Sequence, residues 1–314
     1  MAVKKKKVAF LYPGQGAQMP GMGLDFYEQN SAAAAVVDTA QSGLDFDVKS
    51  LCFAKNDLLN RTEYTQPCLV TCCLAMTAAI LETGIAPNMT AGLSLGEYAA
   101  IATAGAMDIK TALLLVRKRG LLMQNATKDG FGGMAAVLGL EPDVLEELLK
   151  NTDAVTVANY NCPGQQVITG ETQALLEMIP RLKENGAKVI SLKVSGPFHT
   201  PLMAPAGDAL AKRFASEHFG EMETPVLFNC LGREKADSDS IPALLEKQVQ
   251  SSVYMEDTLR RLGELGVTDI LEVGPGKALS GFVKKTLGAD VHCTAVETAE
   301  ELEAFLTSWK EAQA

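Results

Sequence analysis

Short apolar runs alternate along the chain with longer stretches in which apolar residues recur every three or four positions. The runs at 7–14, KVAFLYPG, and 88–94, NMTAGLS, are typical of buried strands that end in turns. Between them, TQPCLVTCCLAMTAAILETG at 65–84 is typical of a helix, with Pro67 near its first turn and Gly84 just past its end. This alternation predicts an α/β fold with a mostly parallel sheet covered by helices on both faces.

A second helical segment and a change of rhythm divide the chain. The segment at 108–126, DIKTALLLVRKRGLLMQNA, predicts a helix that is apolar nearly all round and therefore buried. Shorter segments then follow in the order strand, helix, strand, strand, helix, strand, which is the order of a ferredoxin-like unit. We therefore predict a small subdomain at 126–196, inserted into a large subdomain formed by 1–125 and 197–314.

Charge and composition exclude several classes of partner. The chain has 38 acidic against 28 basic side chains, a net charge of −10, so its overall field repels nucleic acid and anionic membranes. It contains no uninterrupted apolar run of about 18 residues and no signal-peptide pattern, so we expect a cytoplasmic protein without a membrane anchor. Its seven cysteines include no C-x-x-C pair, which argues against a disulfide framework and against a metal site.

The pentapeptide GLSLG at 92–96 fits the pattern G-x-S-x-G, a sharp strand-to-helix turn that exposes a nucleophilic serine. Ser94 is therefore a candidate nucleophile, although the same residue could simply cap the helix that follows. A serine hydroxyl needs a base, and the chain has three histidines. His218 lies in a charged segment and His292 in a predicted strand, whereas His199 lies in a loop after the last strand of the insert. Elimination therefore favours His199 as the base.

Two further features suit a substrate rather than a core. The glycine-rich turn PGQGAQ at 13–18 follows the first strand, and there a backbone N–H or the side-chain amide of Gln15 could form an oxyanion hole with the N–H of Leu95. Arg117 lies within the apolar helix, where a buried guanidinium needs a carboxylate. That carboxylate could come from the protein, as an ion pair, or from a ligand.

Several motifs together resemble one family. In chain order they are GQGAQ, GLSLGEY, the arginine at 117, NYNCPGQ, GPFH and EVGPGK, and the likeness runs from about Val8 to Val296. The chain resembles the bacterial malonyl-CoA:acyl carrier protein transacylases of fatty acid synthesis (EC 2.3.1.39). The resemblance implies an α/β-hydrolase-like large subdomain and a ferredoxin-like small one. It also implies a ping-pong reaction in which serine takes malonyl from coenzyme A and passes it to the phosphopantetheine thiol of acyl carrier protein. Both are substrates, no cofactor is permanently bound, and we expect a monomer.

The resemblance also assigns roles to residues. Ser94 is the nucleophile, His199 its base and Arg117 the clamp for the malonyl carboxylate, and the backbone N–H groups of Gln15 and Leu95 form the oxyanion hole. A main-chain carbonyl orients the histidine, and an asparagine lies near the site. The candidates for these two places, and for a malonyl-selective aromatic residue before the base, are Gln248 or Gln250, Asn161 or Asn159, and Phe198.

One position departs from the family pattern. Leu93 stands before the nucleophile, where many members carry histidine. We expect this side chain to face the helices rather than the proton-transfer path, so that the departure affects packing and not catalysis.

Partner and pathway are open to alternatives at this stage. An acidic carrier protein must dock against the adverse net charge through a local basic patch, for which Lys188 and Lys193 are the candidates. The same residues would serve a discrete acyltransferase of a polyketide pathway. A serine thioesterase or hydrolase also fits the serine and histidine, but a buried cation beside the serine and the lack of an acid partner count against it.

Overall fold

The computed structural model describes residues 6–128, 130–194 and 196–311, which form two sheets flanked by helices. The strands are β1 (Val8–Tyr12), β2 (Met89–Gly92), β3 (Gly132–Leu138), β4 (Val155–Cys162), β5 (Gln165–Glu171), β6 (Lys188–Ser191), β7 (Val226–Phe228), β8 (Arg233–Glu234), β9 (Val253–Tyr254), β10 (Asp269–Val273) and β11 (His292–Val296). The helices are α1 (Leu24–Gln29), α2 (Ser31–Gly43), α3 (Val48–Phe53), α4 (Thr62–Glu82), α5 (Gly96–Thr103), α6 (Ile109–Asn125), α7 (Pro142–Leu149), α8 (Thr172–Glu184), α9 (Ala204–Phe214), α10 (Ile241–Gln250), α11 (Met255–Glu264), α12 (Ala278–Leu287) and α13 (Ala299–Glu311).

The larger sheet has the strand order β11-β10-β1-β2-β7-β8. Its strands run parallel except for β8, which is antiparallel to β7. Along β1, Phe10 and Tyr12 point into one hydrophobic core, and Ala9 and Leu11 point into another. Both faces of this sheet are therefore buried, which confirms the prediction of a mostly parallel sheet covered on both sides.

The smaller sheet has the order β6-β3-β5-β4-β9. Strands β3 to β6, with α7 and α8, follow the predicted order strand, helix, strand, strand, helix, strand. The sequence did not predict the fifth strand. Val253 of β9 lies beside Asn159 of β4 in a parallel pair, so one strand of this sheet comes from outside 126–196.

Helix α4 lies in the larger core. It is long and apolar enough to cross a membrane, but 83% of its most apolar stretch is buried inside the protein. Its cysteines Cys68, Cys72 and Cys73 are buried and unpaired, as expected for small apolar side chains at helical spacing. We therefore interpret α4 as a core helix.

Helix α6 differs from the prediction because it is not buried all round. Ala112, Val116, Arg119 and Met123 lie on its buried side, whereas Lys118 is exposed. This spacing of three and four residues is that of a single stripe facing the core. The orientation of the helix therefore decides which of its arginines is buried.

Candidate active site

The turn around Ser94 connects β2 to α5 and can form only with glycine on either side. A Cβ atom on Gly92 would lie 2.0 Å from the carbonyl carbon of Gly96, and one on Gly96 would lie 2.2 Å from the carbonyl oxygen of Tyr12. Ser94 itself has φ of 51°, in the left-handed region. The N-cap of α5 is Leu95 and no side chain caps this helix, so Ser94 does not serve as the helix cap.

His199 contacts the serine as predicted. Its Nε2 lies 2.7 Å from Ser94 Oγ, and its Nδ1 lies 2.8 Å from the carbonyl oxygen of Gln248. Because a carbonyl can only accept, Nδ1–H donates to Gln248 and Nε2 is left to accept the serine proton. His218 and His292 do not line the cavity around Ser94.

The nucleophile and the base share an unusual backbone conformation. His199 has φ of 62°, and within the described ranges Ser94 and His199 are the non-glycine residues with positive φ. Such conformations are disfavoured by steric contacts of Cβ and persist where the surrounding structure holds them. Local strain therefore coincides with the reacting groups.

The charge state of His199 suits a base. Burial, and then the nearby positive charge of Arg119, lower the pKa of His199 from 6.5 to about 4. The imidazole is therefore neutral at pH 7, with Nε2 free to take a proton from Ser94.

The arginine beside the nucleophile is Arg119, not Arg117. Arg119 is 1% exposed, and its Nη2 donates to Ser94 Oγ at 3.1 Å and to the side-chain Oε1 of Gln248 at 3.0 Å. Its guanidinium also lies over the ring of Tyr98. Arg119 is therefore the cation that an acyl group on Ser94 would meet.

The prediction for Arg117 is wrong, because this residue points away from the site. Its Nε and Nη2 donate to the two carboxylate oxygens of Asp45 at 2.8 and 2.9 Å, and its Nη1 donates to the carbonyl of Glu63. Residues two apart on a helix point about 200° apart, so Arg117 and Arg119 cannot face the same cavity. The ion pair considered from the sequence is the arrangement that Arg117 adopts.

Gln248 is hydrogen-bonded to Ser94, His199 and Arg119. It is fully buried, its carbonyl accepts from His199, and its side chain accepts from Arg119 and donates to the carbonyl of Ser94 at 2.9 Å. Gln250 instead donates to the carbonyl of Glu246 within α10. The geometry thus selects Gln248 between the two glutamines.

Glu97 is a fully buried carboxyl whose charge interacts with that of Arg119. Burial raises the pKa of Glu97 to about 8, although hydrogen bonding and the charge of Arg119 oppose this shift. Its Oε1 has no hydrogen-bond partner among the described residues. Glu97 is therefore largely neutral at pH 7 and does not neutralise Arg119, which leaves that cation available to a substrate carboxylate.

The predicted oxyanion donors flank the serine. Gln15 lines the cavity, but its side-chain Nε2 donates to Thr62 Oγ1 at 3.0 Å. Within the described part of the chain, the backbone N–H groups of Gln15 and Leu95 make no internal hydrogen bond. The backbone groups, rather than the Gln15 amide, are thus free to bind a developing oxyanion.

A cavity of about 300 Å³ opens beside these groups. It lies between the two sheets, and its walls are mostly apolar. The residues lining it are Gly14, Gln15, Leu93, Ser94, Met134, Ala136, Asn159, Asn161, Gln165, Val167, Leu192, Val194, Phe198, His199, Ala278 and Phe282.

Three sequence predictions concern this wall. Asn159 and Asn161 both line the cavity, so the choice between them is not exclusive, and the side-chain oxygen of Asn161 has no partner among the described residues. Phe198 is 5% exposed and lies on the wall beside the base. Leu93 corrects the prediction, because it also lines the cavity and packs near Gly14 rather than facing only the helices.

The predicted docking lysines are Lys188, on the edge strand β6 of the smaller sheet, and Lys193, two residues past the end of that strand. Both are exposed. Lys193 stands between the cavity-lining residues Leu192 and Val194, whereas Lys188 begins β6 at its far end. Lys193 is therefore the closer of the two to the cavity.

Sequence reasoning missed Arg119 and Asn229. The buried stripe of α6 was the signal for Arg119, because it places positions 112, 116, 119 and 123 together and leaves 117 outside. Asn229 belongs to no motif identified in the sequence, yet it is fully buried and accepts a hydrogen bond from the backbone N–H of Ser94.

Comparison with known proteins agrees with this geometry. Residues 9–308 match the acyl transferase domain family. The chain therefore belongs to the acyl transferase domain family and is an acyltransferase.

Individual relatives narrow the class. A malonyl CoA-acyl carrier protein transacylase from Bacillus subtilis is 40% identical over 314 residues, which cover 97% of this chain and 98% of the relative. The crystal structure of a malonyl CoA-acyl carrier protein transacylase from Clostridium perfringens has a TM-score of 0.94 at 38% identity and covers 98% of each chain. A malonyl-transacylase solved in complex with its type II PKS acyl-carrier protein has a TM-score of 0.92 at 34% identity, over 96% of this chain and 100% of that one.

Proposed function

We propose that the protein transfers malonyl from malonyl-CoA to the phosphopantetheine thiol of acyl carrier protein and so supplies fatty acid elongation. The observation that carries the proposal is the buried Arg119 guanidinium, 3.1 Å from the nucleophile Ser94. A planar guanidinium binds a carboxylate through two parallel hydrogen bonds, and the free carboxylate is what distinguishes malonyl from acetyl.

Loading begins with neutral His199, whose Nε2 takes the proton of Ser94 Oγ as that oxygen attacks the thioester carbonyl. The backbone N–H groups of Gln15 and Leu95 stabilise the negative charge that develops on the carbonyl oxygen. The C–S bond then breaks, and His199 returns the proton to the sulfur of coenzyme A. Malonyl is left as an ester on Ser94, with its carboxylate on Arg119.

The second half-reaction reverses these steps with a different thiol. The phosphopantetheine thiol of the carrier gives its proton to His199 and attacks the ester carbonyl. The ester C–O bond breaks, and Ser94 regains a proton from His199. The carbonyl oxygen of Gln248 holds the imidazole throughout, and because it cannot titrate, it fixes the tautomer wherever the ring is neutral.

The finer architectural expectations belong to the same proposal. The six-stranded sheet forms an α/β-hydrolase-like large subdomain from 1–125 and 197–314, and β3 to β6 form a ferredoxin-like small one within 126–196. The strand order β6-β3-β5-β4 and its antiparallel pairing support the second assignment. The enzyme acts as a cytoplasmic monomer and needs no resident cofactor.

A polyketide role has one observation in its favour, the 34% identity to a malonyl-transacylase solved with a type II PKS carrier. Loading of Ser94 is common to both pathways, so only the second half-reaction separates them. Comparing kcat/KM for a fatty acid carrier and a polyketide carrier, both in the holo form, decides between them. A higher value with the polyketide carrier would overturn the assignment to fatty acid elongation.

Intact-protein mass spectrometry tests the central claim. Malonyl-CoA alone should add one malonyl group to the wild-type enzyme, and peptide mapping should place it on Ser94. Ser94→Ala should take up none. Label on Cys162, the buried cysteine of β4, would contradict the serine mechanism.

Release of the label separates a transferase from a hydrolase. Holo acyl carrier protein should remove malonyl from the enzyme much faster than buffer does. If water releases it as fast as the carrier thiol, the protein is a hydrolase and the proposal fails. His199→Ala should slow loading and release alike, by about 10² to 10⁴ for a lost general base.

A further inference from the structure

Asn229 is hydrogen-bonded to Gly92 and Ser94 in the turn that carries the nucleophile, and to Glu97 in the helix that follows. Its side-chain Oδ1 accepts from the backbone N–H of Ser94 at 2.5 Å, and its Nδ2 donates to the carbonyl of Gly92 at 2.6 Å. Its own backbone N–H donates to Oε2 of Glu97 at 2.5 Å. Asn229 and Glu97 are both fully buried, so these bonds are shielded from water.

The topology explains why a side chain is needed at this point. Strands β2 and β7 are parallel neighbours, with Thr90 beside Val226 and Ala91 beside Leu227. Asn229 directly follows β7, at the level where the chain after Gly92 turns out of the sheet. Its amide thus takes over the pairing that the backbone can no longer provide.

The backbone of Ser94 is held on its other side as well. Its carbonyl accepts from the side-chain Nε2 of Gln248 at 2.9 Å and from the N–H of Glu97 at 3.2 Å. A serine at φ of 51° persists only if its surroundings fix it. Both of its backbone polar groups are therefore bound, and Asn229 supplies the bond to the N–H.

We infer that Asn229 is a positioning residue, which Glu97 holds in place and which locks Ser94 in its left-handed conformation so that Oγ lies within reach of His199. It touches no reacting atom, because its contacts with the turn are to backbone groups. The inference rests on the proposed malonyl transfer, since loading of Ser94 is its readout.

The chemistry of this contact needs one acceptor and one donor on the same short side chain, which asparagine provides. A carboxylate in the same place could accept from Ser94 but would repel the carbonyl of Gly92. A protonated carboxyl group would again offer one acceptor and one donor. The Asn229→Asp variant should therefore load Ser94 slowly when its new carboxyl group is ionised, and should recover when that group is protonated.

The test is single-turnover loading of Ser94 from malonyl-CoA between pH 8 and pH 5.5, with each rate divided by that of the wild type at the same pH. Asn229→Asp should load about 10²-fold more slowly at pH 8, since a displacement of about 1 Å costs that much, and should approach the wild type at pH 5.5. The concentration of malonyl-CoA giving half-maximal loading should change less than about threefold, because Arg119 and the cavity are untouched. Asn229→Leu should be slow at every pH.

The titratable groups near position 229 support the expected direction. Glu97 from α5 faces it directly, and Arg119 from α6 and His199 bond the side chain of Ser94. The charge of Arg119 opposes a rise in the pKa of a carboxyl here, whereas burial favours it. Cys230 follows Asn229 in the chain, and burial raises the pKa of that thiol to about 12, so it stays neutral. A buried carboxyl next to Glu97 should therefore hold its proton more strongly than an exposed one.

Asn88→Asp is the matched control. Asn88 flanks the other end of β2, where its side-chain Oδ1 accepts from the backbone N–H of Val8 at 2.8 Å, and it is exposed. The Asn88→Asp variant should load Ser94 at the wild-type rate at every pH. If Asn229→Asp does not fold at pH 8, Asn229→Ser, whose single and shorter hydroxyl cannot hold both the Ser94 N–H and the Gly92 carbonyl, should load about tenfold more slowly with its half-maximal concentration unchanged.

Three outcomes would overturn the inference. They are wild-type loading by Asn229→Leu, a loss in Asn229→Asp that does not recover at low pH, and a loss that lies in the half-maximal concentration rather than the rate. Failure of the proposed function is distinguishable, because the wild type itself would then take up no malonyl.

Discussion

Replacing Arg119 by alanine should remove the preference of the enzyme for malonyl-CoA over acetyl-CoA. Arg119 is 1% exposed, so its contact with a substrate carboxylate is shielded from water. A charge-assisted hydrogen bond contributes about 1.5 to 3 kcal/mol, and more when truncation leaves the partner charge buried and unpaired. At about 1.4 kcal/mol per decade, kcat/KM for malonyl-CoA should fall between ten- and several-hundredfold beyond any loss shared with acetyl-CoA.

The ratio of the two substrates isolates this effect. Arg119 also donates to Ser94 Oγ and to Gln248, so Arg119→Ala disturbs the nucleophile for both thioesters. That shared loss cancels when the loading rate for malonyl-CoA is divided by the rate for acetyl-CoA. Arg119→Lys should recover little of the ratio, because an ammonium group supplies charge without the paired donors.

Arg117→Ala is the control on the same helix. Arg117 pairs with Asp45 and Glu63 away from Ser94, so its loss should lower the folding stability and leave the substrate ratio unchanged. If malonyl and acetyl loading fall equally in Arg119→Ala, that residue serves the fold and does not bind the carboxylate. A change of ratio in Arg117→Ala would also refute the reasoning.

Three further predictions follow from the same geometry. Burial and the charge of Arg119 lower the pKa of His199 to about 4, so kcat/KM should fall only as the pH approaches 4. Arg119→Ala removes that charge and should therefore move the fall in kcat/KM for acetyl-CoA to higher pH. An unchanged pH profile would contradict the role of His199 as the base. Phe198 beside the base should exclude an α-methyl group, so the wild type should prefer malonyl-CoA to methylmalonyl-CoA and Phe198→Ala should narrow the difference; equal wild-type rates would refute this. Lys193→Glu, and more weakly Lys188→Glu, should raise the KM for acyl carrier protein without affecting malonyl loading, and an unchanged KM would place the docking surface elsewhere.

The parts of the site that local sequence patterns determine were predictable. Ser94 lies in a pentapeptide whose glycines are required because a Cβ on Gly92 would clash with Gly96 and a Cβ on Gly96 would clash with Tyr12. The sequence motif therefore determines the turn directly. His199 was found by elimination among three histidines, because few side chains can act as a base at neutral pH. The alternating strands and helices likewise reflect local periodicity.

The parts that depend on orientation or on distant pairing were not predictable in the same way. Arg119 was missed because helix α6 was treated as apolar all round, although its buried stripe separates position 119 from 117. Asn229 acts through backbone groups of a strand far away in the sequence, and β9 joins the smaller sheet from beyond the predicted insert. Such pairings are set by tertiary packing and leave no periodic pattern.

The left-handed backbone at Ser94 and His199 lowers the stability of the folded protein at the two positions that its activity requires. A side chain with a Cβ atom costs on the order of 1 kcal/mol in this conformation, and alanine would bear that cost as serine or histidine does. Glycine would not, and in a chain of this size about 1 kcal/mol corresponds to a melting temperature a few degrees higher. Laboratory evolution that rewarded thermal stability alone should therefore favour glycine at Ser94 and would yield more robust proteins that transfer nothing. Glycine at His199 would also remove a buried imidazole and its two hydrogen bonds, a loss that outweighs the relieved strain.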